Sequence, residues 1–494
     1  MKTEKLIIQN TFFLTTGKGL GDLLTFLFLT YFARIFGTDI VGKYGFAMSL
    51  CGLMTVFVNL GLNPFMVREI SQDKTRTAKY VGNLMTTQVV LAALIWILIL
   101  SIAFVLNLPT DTRIILALIG GFHVFLKLSM HFGSVFRAHE EMHYTALLEI
   151  FHKILILSLG ISSILLWKNP VLTLAAYPIS SFARFSLGFF IYVKKFGWPD
   201  LKIDFGFIKD SLIQANPFFT GSLLDQFYDR IGLIILTFFY GEAAAGVYWA
   251  ADRLLAALAA GLGIFGAATF PVMARFSAES KDALFKLSER SIRFMLIAVL
   301  PFATLLYVAA RPIMLLLYGN RFLESILILK IISWRLVFIG ITLILSSLLI
   351  VTFHQKELVR IKTFVYLGYG IFCLLFIPHY SYVGLAYAKI SADILLLLVS
   401  YAYARKTVYD IPIVKMANGA VLACLLAILV SYFMADVVWW IMVPFVFMVC
   451  VSGLFLFKGI ALHDIAFFKK ILLSNTSSVV DEQDDSEYLR KPLS

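Results

Sequence analysis

Residues 214–277 read QANPFFTGSLLDQFYDRIGLIILTFFYGEAAAGVYWAADRLLAALAAGLGIFGAATFPVMARFS, and the chain carries the same outline near its N-terminus. Gly241-xxxx-Gly246-x-Tyr248 repeats Gly37-xxxx-Gly42-x-Tyr44. Pro271-x-Met273-x-Arg275 repeats Pro64-x-Met66-x-Arg68, with Ser277 and Ser71 following. The copies stand 204 residues apart at the first motif and 207 at the second, so a short insertion separates them. That interval is far longer than a solenoid period and corresponds to half a protein. Asp225, Asp229, Arg230, Asp252 and Arg253 lie in or at the ends of apolar helices of this stretch. The chain reads as two related halves, with charge placed where they would face each other.

Composition sets the class. Of 494 residues, 60% are hydrophobic and only 15% charged, 46 are Phe, and the mean hydropathy is +0.88. A water-solvated chain of this length has no way to cover that apolar content, whereas a lipid-solvated one requires it. The formal charge of +12 comes from Lys and Arg clustered in short connections between apolar spans. That is membrane topology, and it argues against nucleic acid as a partner. Cys51, Cys373, Cys424 and Cys450 sit singly inside apolar runs, as small packing residues. No small-residue cleavage site follows the basic start MKTEK, so the first helix is read as retained.

At ~20 apolar residues per crossing, the template gives about fourteen spans, from 7–36 to 437–457. One set of loops holds Lys2 and Lys5, Arg68 to Lys79, Lys194 to Lys209, Lys281 to Arg293, Lys356 to Lys362 and Arg405 to Lys415. The opposite set holds only Arg34, Lys43, Arg113, Lys168 and Arg321. Basic loops stay inside, so both termini are expected in the cytoplasm. KKFGWPDLKIDFGFIKD, centred on residues 197–210, reads as an interfacial connector between residues 1–196 and 211–406. Residues 407–460 hold a further helix pair, and 461–494 are a polar cytoplasmic tail, expected to be disordered from Asn475.

YFARIFGTDIVGKYGFAMSL, NLGLNPFMVREIS and FRAHEEMHYTALLEIFHKIL, with DRIGLIILTFFYGEAAAGVYWAADRL and FPVMARFSAES in the second half, carry a family resemblance. The chain resembles the multidrug/oligosaccharidyl-lipid/polysaccharide exporter superfamily, in its polysaccharide (Wzx-type) flippase branch. The resemblance implies an all-α integral membrane protein of two pseudo-symmetric six-helix bundles around a central cavity, plus a C-terminal helix pair. It implies alternating access that carries a polyprenyl-pyrophosphate-linked oligosaccharide from the inner to the outer leaflet of a prokaryotic cytoplasmic membrane, in surface polysaccharide biosynthesis. It implies no catalysis and no cofactor beyond an H⁺ or Na⁺ coupling ion. The partners expected are the lipid-linked substrate, membrane lipid, and a polysaccharide polymerase or ligase. Peptidoglycan-precursor flippases carry Ser-Arg-x-x-Gly-x-x-Arg-Asp in the first helix, and TYFARIFGTDIV departs from it.

Charge inside a span is costly, at ~2.5–3.5 kcal/mol per residue at the helix centre, so each such residue calls for a partner or a cavity. Lys18 and Asp22, Asp225 and Asp229, and Lys389 and Asp393 are i,i+4 pairs, while His123, Lys127 and His131 form an i,i+4,i+8 stripe. Lys18–Asp22 and Lys389–Asp393 fit equally well as intrahelical ion pairs. The anion contacts expected are Lys18, Arg34, His123, Lys127, His131, Arg230 and Arg253, with Asp22, Asp225, Asp229 and Asp252 in ion coupling or gating. Pro64 and Pro271 are expected to end or kink their helices, and Gly17 and Gly21 to allow close helix approach.

Two other classes compete. A cation exporter of the same superfamily would want an acidic, aromatic cavity, whereas this one would hold Lys18, Lys127, Arg230, Arg253 and Arg335 beside its aspartates. His139-Glu140-Glu141-Met142-His143 matches H-E-x-x-H, the zinc signature of membrane metalloproteases when it lies on one helix. Here it falls in a short turn between spans, and no third ligand is evident.

Overall fold

The computed structural model describes residues 2–200, 202–434 and 437–457, with side chains at Gly19 and from Gly21 onward. The side chains of Lys2, Lys5 and Lys18, residue Gly17 as a contact, and the tail from 461 with its Asn-Thr-Ser sequon lie outside the described residues. Among those described, the regular elements are helices: α1 Lys2–Met54, α2 Val56–Asn59, α3 Leu62–Gln72, α4 Thr77–Val105, α5 Thr110–Ala138, α6 Met142–Trp167, α7 Pro170–Phe196 and α8 Phe205–Glu279. They continue as α9 Lys281–Val308, α10 Ala310–Tyr318, α11 Ser325–Ile332, α12 Arg335–Val351, α13 Gln355–Thr407, α14 Ile413–Phe433 and α15 Trp439–Leu456.

Among the described residues, eleven segments are long and apolar enough to cross a bilayer, which makes this a multi-pass membrane protein. Three of them are too long for one crossing. At ~1.5 Å per residue, α8 would run ~110 Å against a ~30 Å hydrocarbon core. Each of the three is broken by a positive-φ residue: Gly37 in α1, Gly241 in α8 and Ser381 in α13. Each break divides its segment into two helices. Gly37 (φ 80°, ψ −175°) and Gly241 (φ 77°, ψ −178°) adopt nearly the same backbone, in a region essentially closed to any residue with a Cβ. The first glycine of the sequence repeat is thus fixed by conformation. The prolines behave differently in the two copies. In the first, the helix breaks at Leu60 and Gly61 (φ 45° and 74°), ahead of Pro64. In the second, Pro271 lies within α8 and does not end it, the non-helical residue of that helix being Gly241.

The connector is tied down rather than lying free at an interface. α7 closes at Gly197 (φ 82°), the Asp200 amide donates to the Ala78 carbonyl (3.1 Å), and the Asp204 amide donates to Asn83 Oδ1 (2.7 Å). Asp204 then caps α8 through the Phe207 amide (2.9 Å) and pairs with Lys79 (2.9 Å), and these bonds hold its carboxyl below the usual range.

Two compact units emerge from the packing. The first holds Met1–Arg253, Leu317–Phe322 and Cys373–Leu385; the second holds Leu254–Leu316, Leu323–Phe372 and the chain from Ala386. In the first, Met66, Leu84, Phe132, Phe136, Leu148 and Tyr192 close a core shared by α3 to α7. In the second, α9 packs on α12, α14 and α15, and a Cβ added at Gly453 of α15 would stand 3.0 Å from the Ala423 side chain on α14. There Arg335 Nε donates to Asp393 Oδ2 (2.6 Å) with both side chains 6% exposed. Asp393 therefore reaches across from α13 to α12, which corrects the purely intrahelical reading of Lys389–Asp393.

Candidate functional site

The first unit buries charge in two adjoining groups. α8 sends Arg230 onto α1, where Nη1 donates to the Met48 carbonyl (2.5 Å) and Nε to Gln226 Oε1 (2.6 Å). The guanidinium lies flat on Gly52, whose Cβ, were there one, would stand 2.6 Å from both Nε and Nη1. A glycine is required at that point by the close approach. Lys127 of α5, half-buried, lies close enough to Arg230 for the two charges to repel, and no carboxylate pairs with either among the described residues. His123, one turn before Lys127, is 5% exposed with both ring nitrogens unbonded. Asp229 contributes a more distant opposite charge at Arg230.

The second group belongs to α6 and α7. Glu149 and Lys153 are four apart and so share a face of α6. Arg184 Nη1 of α7 donates to Glu149 Oε2 (2.6 Å), and its Nε to Ser129 Oγ of α5 (3.0 Å). Lys153 Nζ stands 3.9 Å from Glu149 and 3.7 Å from Asp22 on α1. Gly21 makes room for it, since a Cβ there would come within 3.1 Å of Lys153 Cγ. Asp22 thus faces α6, and Gly21 admits a lysine stem rather than a helix backbone. None of Glu149, Lys153 and Arg184 was singled out from the sequence. The Glu149–Lys153 spacing inside an apolar span was the available signal.

The remaining expected residues are dispersed. His131 leaves the anion stripe: it is fully buried, with Nδ1 on Gln88 Oε1 (3.1 Å), and Gln88 Nε2 donates to Asn59 Oδ1 and Asn63 Oδ1 (3.3 Å each). Arg34 is exposed and lies twelve residues beyond Asp22, ~18 Å along α1, next to the Gly37 break. Asp225 and Asp229 are exposed and engaged, Asp252 accepts from the Tyr248 hydroxyl (3.3 Å), and the Arg253 charge acts on Lys153 and on the Tyr44–Tyr177 hydroxyl pair (3.1 Å).

The zinc signature fails on geometry. α5 ends at Ala138, Glu140 has φ 63°, and α6 begins at Met142, so His139 and His143 do not share a helical face. Glu141 pairs with Lys195, His139 Nε2 sits 3.0 Å from Thr77 Oγ1, and no metal-holding cluster exists among the described residues. Burial and the neighbouring Lys74 hold the His139 imidazole below its ordinary value.

The family model "Polysaccharide biosynthesis protein" matches residues 7–277, more than half of the chain. The chain belongs to this family. The Staphylococcus aureus "Capsular polysaccharide biosynthesis protein CapF" is 21% identical over 421 residues, 82% of this chain and 100% of that one. Among solved structures, "Lipid II flippase MurJ, inward closed conformation" overlays with a TM-score of 0.74 at 16% identity, covering 93% of this family member and 99% of MurJ. An inward-facing multidrug resistance MATE family transporter of the MOP superfamily overlays at 0.63 and 15% identity, covering 78% and 94%. The polysaccharide biosynthesis protein therefore has the fold of the MOP superfamily, as the resemblance in its sequence implies.

Proposed function

We propose that this membrane protein is a flippase for a lipid-linked oligosaccharide, and that Lys127 and Arg230 receive the pyrophosphate. The observation that carries the reading is the pair itself: two cations in membrane-spanning helices, mutually repelling, with no ion pair to a carboxylate at either among the described residues. Unneutralised cations in a low-dielectric setting are stabilised most by a polyanion, through charge-assisted hydrogen bonds. Arg230 spends Nε and one Nη on protein acceptors and keeps its remaining edge for a ligand. His123 brings an unbonded imidazole to the same place. Lys153, Arg184 and Glu149 form a satisfied reserve of charge beside it, in which Asp22 or Glu149 would bind H⁺ or exchange for Na⁺ as substrate moves. Membership in a polysaccharide biosynthesis family and the likeness to a lipid II flippase support a lipid-linked sugar as cargo. The basic loops support cytoplasmic termini in a cell's inner membrane, and export would feed a polymerase or ligase on the far side.

Proteoliposomes holding a polyprenyl-pyrophosphate oligosaccharide test this, with lectin access to the sugar read beside efflux of a cationic dye. Protein-dependent exposure of the sugar without dye efflux is expected; dye efflux without sugar exposure would move the protein to the drug exporters.

A further inference from the structure

The glycines that reveal the sequence repeat also pack on one another. Gly42 presses on the Glu242 carbonyl and Gly246 on the Thr38 carbonyl, each so closely that a Cβ would overlap the oxygen. These contacts are reciprocal: Thr38 follows Gly37, Glu242 follows Gly241, and 204 residues separate the members of every pair. Three residues further, Gly45 admits Trp249, its own counterpart at the same offset, and Trp249 meets Tyr44 edge-on at 5.5 Å. The bracing is crossed as well. Thr112, after α4, donates to Glu242 Oε1 (3.0 Å) in the second copy, and Arg321, in the later loop, donates to the Ile35 carbonyl (3.1 Å) in the first. Within the first copy, Lys43 pairs with Asp39 (2.8 Å) and with Asp111, which ties the start of α5 to α1 beside the seam. All of this lies at the end of α4 and α5 opposite the Lys79–Asp204 connection.

We propose that this two-fold glycine seam is a separable gate, cross-braced by Thr112 and Arg321. Its gating role rests on the transport reading above; its closure does not. A glycine–carbonyl seam suits a gate because it closes by backbone contact with no side chain to interlock, so it parts without repacking a core. The ε-region glycines Gly37 and Gly241 sit immediately outside it as paired pivots, and Gly241 has open space around its Cα. The bonds from Thr112 to Glu242 and from Arg321 to the Ile35 carbonyl run between the copies, so an open state surrenders them to water.

Spin labels at Ile35→Cys and Phe239→Cys, both at exposed positions, read the seam in the full-length chain in nanodiscs without any substrate. Two distances are expected, the short one dominant. Gly246→Leu, which drives a side chain into the Thr38 carbonyl, should deplete the short distance by about 10-fold. Thr112→Val, which keeps the side-chain shape and removes the bond to Glu242 across the seam, should shift it in the same direction more mildly, and decides the matter if the leucine variant does not fold. Sugar exposure in proteoliposomes should fall with the short distance. Unchanged distances in both variants overturn the proposal, as does wild-type transport by a variant that has lost closure. Failure of the unaltered protein to move the lipid-linked sugar strikes the transport reading alone, because the distances are recorded without it.

Discussion

Removing the Glu149 carboxylate separates a paired from an unpaired buried cation and has a calculable cost. Arg184 is 6% exposed and holds Glu149 at 2.6 Å, so Glu149→Gln leaves a buried guanidinium facing a neutral amide. Breaking a buried pair from one side costs ~3–5 kcal/mol. The Glu149 side chain is 30% exposed, and water screens part of that, which brings the expectation to about 2–3 kcal/mol. Lys153 then keeps only Asp22, at 3.7 Å, and Ser129 still accepts from Arg184. Replacing both partners, as in Glu149→Gln/Arg184→Met, deletes the orphaned charge and should be milder than Glu149→Gln alone. The coupling energy expected from the cycle is about 2 kcal/mol, a factor of about 30 in the unfolding constant. Equilibrium unfolding in mixed micelles, followed by tryptophan fluorescence, measures it. Strictly additive costs, or a Glu149→Gln variant within ~0.5 kcal/mol of the parent, would refute the view that this pair is buried and mutually dependent.

Three further outcomes follow from single contacts. Gly52→Ala should push the Arg230 guanidinium off α1 and break its bond to the Met48 carbonyl, lowering sugar transport by about 10-fold with little change in melting, as proteoliposome flipping and thermal scans would show. Lys127→Ala and Arg253→Ala should each abolish transport in a folded, inserted protein; wild-type rates in both would sink the cationic-site reading. His139 is held neutral in the fold, so its contribution is complete above the ordinary value of 6.5 and is lost as pH falls below it toward the depressed folded value. Melting between pH 7.5 and 5.5 should therefore decline in the parent and decline less in His139→Gln.

What the sequence revealed and what it hid divide along a physical line. Helices, their approximate number and the half-length repeat were legible because lipid demands long apolar runs and because ε-region backbone demands glycine at Gly37 and Gly241. Family membership was legible for the same reason, through motifs that the backbone itself imposes. Partners across helices were not. Spacing shows neighbours on one helix only, so the partners that α6 supplies to Asp22 in Lys153 and α12 supplies to Asp393 in Arg335 gave no sign. His131 shared a stripe with Lys127, yet its nearest polar neighbour came from α4 as Gln88, a residue whose uncharged side chain gave no signal. HEEMH had the letters of a zinc site without the continuous helix that gives them meaning.

The anion site admits one direct measurement: affinity of the purified full-length protein for a polyprenyl pyrophosphate against the corresponding polyprenol, in the parent and in Lys127→Ala. The account expects the pyrophosphate to bind at least ~10-fold more tightly than the alcohol, and Lys127→Ala to erase most of that preference. Equal affinity for the two lipids, or a preference untouched by Lys127→Ala, would contradict it.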